Sequence, residues 1–344
     1  MNGAVPTTRP RPKRWRRAAG ELLGAGADLG VLLPLLFGLA LFNGVPFPST
    51  LALVGLLYVG AALFYRLPAP VQPLKAACSL ALALGLGRTV LAAAALEMSL
   101  LLLLLAATGW AERLAKVFHK WVIRGMQMGV GLILLRGAVT LWRKGAGDLA
   151  AGAGPQPWAF PGAEAWAVAF TALVVPQLPV TLSNAVVGSA DAARRYFRWH
   201  AFRVTASRLC ATMGLANLAM GLAGGMPVCH GSSGWTAHRR LGARSMRSTL
   251  LLGAALVAVA ALMRNDALAV LAAVPVPLLA GVLAYVGLRH ALLVWDLRHR
   301  PRLLALAVAV GLLSWVTKNP ALGLAAGLLL QWTPAIRKES AEPA

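Results

Sequence analysis

The sequence predicts an all-α polytopic membrane protein of about twelve spans, built as two inverted repeats. Three observations predict it. The 344 residues are 58% hydrophobic and 13% charged, whereas soluble domains are about 45–50% apolar and about 25% charged. Apolar runs such as "LLPLLFGLALF", "SLLLLLLAATG", "LLLGAALVAVAALM" and "LLALAVAVGLLSWV" recur along the whole length, with short basic loops between them, as bilayer-crossing helices require. Finally, three segments of the first half recur in the same order in the second half.

In chain order, spans are expected at 20–43, 50–66, 70–87, 89–109 and 121–142, then at 163–188, 204–223, 227–238, 248–263, 267–290, 302–316 and 319–334. That is five followed by seven. The first repeat is 20–142 and the second 163–335, joined by an extracytoplasmic linker at 143–162. A basic N-terminal tail is expected at 1–19 and a C-terminal tail at 336–344, both cytoplasmic. The N-terminal "RPRPKRWRR" looks like the start of a signal peptide, but no small-residue cleavage site closes the apolar run after it, so it reads as a retained first helix. Segment 110–124, "WAERLAKVFHKWVIR", is basic and amphipathic and reads as interfacial.

The net charge of +22 does not indicate nucleic acid, because the basic residues cluster in the short loops. With the termini on one side, twenty-four Lys and Arg fall on that side and five on the other. The positive-inside rule then puts both termini in the cytoplasm of a cell (inner) membrane protein. Cys78, Cys210 and Cys229 lie in or beside apolar runs, with neither a metal-like pairing nor a disulfide framework. No Gly-rich Lys-Ser/Thr nucleotide loop is present, and no cofactor is implied.

The repeat relates "DLGVLLPLLFG" (28–38) to "QLPVTLSNAVV" (177–187), "APVQPLKA" (69–76) to "MPVCHGSS" (226–233), and "LRGAVTLW" (135–142) to "LRHALLVW" (288–295). An odd number of spans precedes the second copy, so the copies run in opposite directions. The middle pair consists of Pro- and Gly-broken stretches at matching positions, which is where a transporter of inverted repeats places its site. Proline suits a helix start and cannot continue a preceding helix. Each stretch therefore reads as extended chain entering a half-helix inside the membrane. Broken backbone at that depth must be buried or line a cavity. Two opposed helix N-termini bring about half a positive charge each to one point, which makes an anion site. Gly231 would let an oxyanion approach the backbone, and Gln72, Ser232 and Ser233 add donors. Pro73, at the start of the first half-helix, belongs to the same set.

"GADLGVLLPL", "PVQPLKA", "VIRGMQMGVGL", "PQLPVTLSNAVV" and "GMPVCHGSSGWTAHRRLGARS" together resemble the molybdate transporter family, a branch of the sulfate permease superfamily without its cytoplasmic regulatory domain. The resemblance covers roughly 20–335. It implies a core domain whose two half-helices meet at the substrate, a gate domain that moves against it, and, as a family-level expectation, a homodimer. The stretch "GSSGWTAHRRLGAR" differs from the family's usual "GAGGLAGQYRFGAR", and the first repeat is short of two gate helices.

Two carboxylates lie deep in apolar spans, Asp28 and Glu97. A membrane-buried carboxylate is functional by default, and both are candidates for proton coupling, Glu97 slightly ahead because the backbone of its own break can hold Asp28. Each also has a plainer reading, Asp28 as a cap and Glu97 as a salt bridge to Lys75 or an arginine. Lys75, one turn into the first half-helix, either adds charge to the site or snorkels outward. Gln177, Thr181 and Asn184 share a helix face and line one cavity, or bond between helices, as does Asn217. His230 reads equally as an oxyanion donor and as a hydrogen-bond anchor, and Cys229 as a site residue or a small packing residue. Arg136 and Arg289 read as headgroup anchors at span ends.

The expected function is secondary active transport of a tetrahedral oxyanion, molybdate first and sulfate second, coupled to protons. A transporter of another anion such as bicarbonate, or of a nucleobase, is the rival on the same fold. A passive channel and a membrane enzyme are the rivals from other classes, the enzyme lacking a clustered acid/base or metal set.

Overall fold

A computed structural model describes residues 14–144, 158–263, 275–334 and 336. Most of both tails, most of the 143–162 linker and the start of the span expected at 267–290 lie outside the described residues.

α1 (Arg14–Gly26) and α2 (Leu29–Phe42) make one apolar span that breaks at Ala27 and Asp28. α3 (Phe47–Tyr65) takes Pro48 in its first turn, where the missing N–H has no intrahelical role, and stops on Arg66 at φ 54°. The next residues are extended as β1 (Gln72–Pro73), and the chain then enters α4 (Lys75–Leu84), which Gly85 ends at φ 66°. α5 (Arg88–Thr108), the short α6 (Ala111–Val117) and α7 (Lys120–Lys144) complete the first repeat.

The second repeat opens with one long helical stretch, α8 (Ala163–Val168), α9 (Val175–Val180) and α10 (Gly188–Phe197), joined by wide π turns at Ala169–Val174 and Thr181–Val187. Pro176 and Pro179 withhold two N–H groups there, so the α ladder cannot run through. α11 (Ala206–Leu222) leads to β2 (Val228–Cys229) and α12 (Ser232–Leu241). The chain then turns by 107° into α13 (Met246–Leu262). α14 (Val276–Ala291), α15 (Pro301–Val316) and α16 (Pro320–Gln331) follow.

A helix stands at the place of every expected span. Among the described residues, six helices are long and apolar enough to cross a membrane, and α12 with α13 form one bent pair. α4 and α12 have 10 residues each, about 15 Å at 1.5 Å per residue, half of a roughly 30 Å hydrocarbon core.

The inverted symmetry is visible in the packing. α3 lies along α13 and α5 along α11, so each repeat lends the other an equivalent pair of helices. Backbones touch at Gly55 and Gly253, where a Cβ on Gly55 would stand 2.6 Å from the Gly253 carbonyl oxygen. Such small-residue contacts are how apolar helices associate without a hydrophobic drive. The buried apolar residues form one large cluster, including Leu32, Tyr58, Leu80, Leu91, Leu182, Met213 and Trp235, a smaller one centred on α7, α15 and α16, and a third of Leu141, Val276, Leu279 and Ala280.

Candidate functional site

β1 and β2 pair antiparallel, with Gln72 opposite Cys229 and Pro73 opposite Val228. The Leu74 amide donates to the Pro227 carbonyl at 2.9 Å. This short ladder joins the two repeats and brings the starts of α4 and α12 together. Its supports are reciprocal, Cys78 Sγ donating to the Pro227 oxygen at 3.6 Å and Cys229 Sγ to the Pro73 oxygen at 3.7 Å. Asn217 of α11 receives the Val228 amide at 2.9 Å and returns a bond to the Val228 oxygen at 2.8 Å. The first amides of each half-helix have no acceptor within their own helix.

The half-helix starts form the floor of a cavity of about 800 Å³. One wall is α1–α2 at Ala27, Asp28 and Val31, with Gln177, Thr181, Ser183 and Asn184 of the π-turned stretch. The opposite wall is α6, α7 and α14, through Phe118, Lys120, Arg124, Gln127, Tyr285 and Arg289.

Gln72 is the hub of the floor. It is 3% exposed. Its amide Nε2 donates to Asp28 Oδ1, while its Oε1 accepts from Lys75 Nζ at 2.8 Å and from Ser233 Oγ at 3.3 Å. A carboxylate only accepts and an ammonium only donates, so these partners fix which end of the amide faces which way. Lys75 Nζ also donates to Ser233 Oγ at 2.8 Å. Ser232 Oγ donates to Asn184 Oδ1. Gln177 caps α4, its Oε1 accepting the Ala77 amide at 2.9 Å while its Nε2 donates to Thr181 Oγ1 at 2.9 Å.

Asp28 is wholly buried, and its side chain makes no cap to its own helix. The expectation that backbone holds it is corrected: besides Gln72, Tyr58 Oη donates to Oδ2 at 2.7 Å, and His238 Nε2 lies 2.9 Å from the same oxygen. His238 is wholly buried as well, with Nδ1 3.1 Å from the Pro68 carbonyl oxygen. Among the described residues Lys75 has no acidic partner. The floor thus carries an ammonium, hydroxyls and helix-start amides, with Lys75 and Ser233 engaged on Gln72 Oε1 and the single nearby carboxylate, Asp28, held on the other end of the same amide. The set suits an anion.

The cavity brings together Asp28, Gln72, Lys75, Gln177, Thr181, Asn184, Cys229, Ser232 and Ser233. Pro73, His230 and Gly231 are outside its lining. His230 is turned away because its ring is engaged on both nitrogens, Nδ1 at 2.7 Å from the Pro70 oxygen and Nε2 at 3.1 Å from Thr212 Oγ1. It staples the two broken segments. Gly231 is demanded by Gln72, whose Oε1 would lie 2.8 Å from a Cβ there. Glu97 on α5 is also outside the lining; its Oε2 is buried without a hydrogen-bond partner, and no salt bridge to Lys75 forms. Arg289 is not a simple headgroup anchor, since it lines the cavity, whereas Arg136 does not. α6 and the start of α7 also border the cavity, so 110–124 is more than an interfacial segment.

Sequence reading missed Tyr58 and His238. His238 sits in the basic run "HRRLGAR", where it passes for a loop charge. Its signal was the spacing of 231, 234 and 238, which share one face once α12 starts at Ser232.

A family described as "Molybdate transporter of MFS superfamily" matches residues 20–134 and 169–289. "Molybdate transporter 2" of Arabidopsis thaliana is 22% identical over 91% of this chain and 86% of its own length. "Molybdate transporter 1" of the same plant is 23% identical over 92% and 88%. "Molybdate transporter 1" of Chlamydomonas reinhardtii is 32% identical, over 45% of this chain and 30% of its own length. Among solved structures, the transmembrane domain of a cyanobacterium bicarbonate transporter superposes with TM-score 0.60 at 14% identity, covering 91% of this chain and 98% of that one.

Proposed function

Because this chain belongs to the molybdate transporter family, and is thus a multi-pass membrane transporter of anions rather than an enzyme, we propose that it carries a tetrahedral oxyanion, molybdate first and sulfate second, by proton-coupled uptake. The observation that carries this reading is the floor of the cavity. Two half-helix starts, joined by β1 and β2, converge beside Lys75, which has no acidic partner among the described residues. Helix starts and an ammonium with no carboxylate to neutralise it favour a dianion over a neutral substrate.

The substrate ligands are Lys75, Ser232, Ser233 and the first-turn amides. Gln177, Thr181 and Asn184 form the supporting rim, and Pro73, Cys229, His230 and Gly231 shape the backbone that presents it. The first repeat is 20–142 and the second 163–335, in a cell (inner) membrane, with both termini cytoplasmic by the charge asymmetry and a homodimer as the assembly. In that orientation the basic α6–α7 wall of the cavity belongs to the cytoplasmic side.

A dianion entering a cell with a negative interior moves uphill, by about 2.3 kcal/mol per charge per 100 mV. Protons supply the compensating charge. Of the two deep carboxylates, Asp28 is favoured as carrier over Glu97, because Asp28 touches Gln72 at the floor and Glu97 does not border the cavity. Proteoliposome uptake of labelled molybdate, with sulfate as competitor and an imposed pH gradient, tests the reading. Uptake should rise with outside acidity and fall when sulfate is added. Uptake indifferent to the gradient removes proton coupling, and failure of molybdate to enter at all removes the substrate.

A further inference from the structure

We infer that the Gln72 amide is the switch that links a proton on Asp28 to the anion on the half-helices. This rests on the oxyanion reading above and adds how the two bound species sense each other.

The argument starts from the places a proton can go. The Pro68 carbonyl only accepts, so His238 carries a proton on Nδ1. His238 Nε2 and Asp28 Oδ2 then share one proton between them, and Oδ2 also receives Tyr58 Oη. That oxygen is full. Oδ1 has one donor, the Gln72 amide. A further proton on the cluster therefore enters on Oδ1.

Once Oδ1 is a hydroxyl, it faces an N–H that cannot accept. Turning the amide by half a revolution about its last torsion cures this, since Oε1 then accepts from Asp28. The same turn points Nε2 at Lys75 Nζ and Ser233 Oγ, which until then donated to Oε1. An ammonium cannot accept from an amide N–H, so Lys75 is released toward the cavity, while Ser233 Oγ accepts that N–H and turns its own proton toward the cavity. In the resting arrangement the floor shows an anion a carbonyl oxygen, with the ammonium and the hydroxyl already engaged. After the turn it shows only donors.

The surroundings leave room for this. A Cβ at Gly231 would stand 2.8 Å from Gln72 Oε1, and one at Gly234 would stand 2.8 Å from Nε2. Each end of the amide thus faces a glycine. The charged and titratable groups around Asp28 are Tyr58 of α3, His238 of α12 and Lys75 of α4, with Cys229 of β2, the His230 that follows it and, across the cavity, Arg289 and His290 of α14. None of the nearby groups is a second carboxylate. Proton binding at Oδ1 and anion binding at the floor therefore help each other, and the linkage is reciprocal. Asp28 and Gln72 act as positioning residues here, since neither proton nor amide turn breaks a bond in the substrate.

The test is molybdate binding to the purified full chain, by titration calorimetry, from about pH 4 to about pH 7, the range in which a carboxylate loses its proton. Wild-type affinity should fall about tenfold over that range. Asp28→Asn offers a permanent N–H donor to Oε1, so it should bind at every pH as wild type does at the acidic end. A purely structural loss would instead weaken binding at every pH. Gln72→Met has no amide to turn and should bind weakly with no pH slope; it carries the test alone if Asp28→Asn does not fold. A slope that survives either substitution overturns the switch. No molybdate binding by wild type at any pH overturns the oxyanion reading instead.

Discussion

The two broken segments enter the site with one backbone plan and different side chains. β1 and β2 are both two residues long, both lead into ten-residue half-helices, and each lends a cysteine to the other's backbone. There the likeness ends. α4 opens with Lys75, carries Gln72 just ahead of it, and has its third amide capped by Gln177. α12 opens with two serines beside Gly231 and Gly234, has no charge in its first turn, and keeps His238, Arg239 and Arg240 for its last. The first half-helix supplies the movable parts, an ammonium and an amide. The second supplies a fixed rim and, one helical face further on, the imidazole that holds Asp28. Repeated backbone builds the cradle, and unshared side chains make it chemically one-sided.

That asymmetry breaks most severely at Lys75. Lys75→Met removes the one ammonium of the floor while keeping the stem that packs beneath it. A hydrogen bond to a charged group contributes roughly 1.5–3 kcal/mol, so molybdate affinity should fall about 100-fold. Titration calorimetry on the purified variant, with thermal melting to show that it is folded, measures this. A variant that binds within threefold of wild type would place the anion elsewhere.

The next test concerns the glycine the second segment contributes. Gly231→Val puts its Cβ 2.8 Å from Gln72 Oε1, so the Gln72 amide must shift from its place. Affinity should drop about tenfold, with a smaller loss in melting temperature, because the backbone at Gly231 is extended at φ −66° and tolerates a side chain. Gly231→Ala should fall between the two proteins. Equal affinity in all three would mean that Gln72 does not have to stay where it is.

Half of this site was readable before any coordinates. Prolines at 70 and 227, in matching places of the two repeats, are enough to predict two opposed half-helices, because proline suits a helix start and membranes forbid stray backbone. Gln177, Thr181 and Asn184 followed from helical spacing, even though the turn there is π and not α. What could not be read was direction. Nothing in "PVCHGSSGW" says that His230 swings back to Pro70 and Thr212, or that Gly231 makes room for a side chain of the other repeat. Contacts between residues more than 150 positions apart depend on the register of β1 against β2, and a one-residue slip there would exchange the inward and outward side chains. The partners of Asp28 come from three further elements, so no local spacing announces them.

Smaller effects separate the cap from the rim. Gln177→Leu strips the Ala77 amide of its acceptor in a buried place, which costs about 1–2 kcal/mol of stability. It should lower the melting temperature more than it lowers affinity. Ser233→Ala, by contrast, removes one neutral donor and should weaken molybdate binding only about threefold while leaving the melt unchanged. The reverse ranking, with Gln177 governing affinity and Ser233 stability, would exchange the roles assigned to the two segments.

The smallest expected effect is at Glu97, and it decides between the two carboxylates. Asp28 is bonded to the hub of the floor, whereas Glu97 lies on α5, outside the cavity lining, with a buried oxygen that no described group hydrogen-bonds. A carboxylate carries a coupled proton only if its charge is felt by the anion, and that interaction falls with distance and with the packing between. Removing an unpartnered buried oxygen anion should not harm the fold. Glu97→Gln should therefore keep both the wild-type affinity and its weakening as pH rises, while Asp28→Asn keeps affinity and loses the slope. Uptake into proteoliposomes at several outside pH values, run on both variants side by side, reads this directly. If Glu97→Gln flattens the pH profile and Asp28→Asn leaves it intact, the proton travels through α5, and the link between proton and anion must run through the packing of α5 on α11 rather than through Gln72.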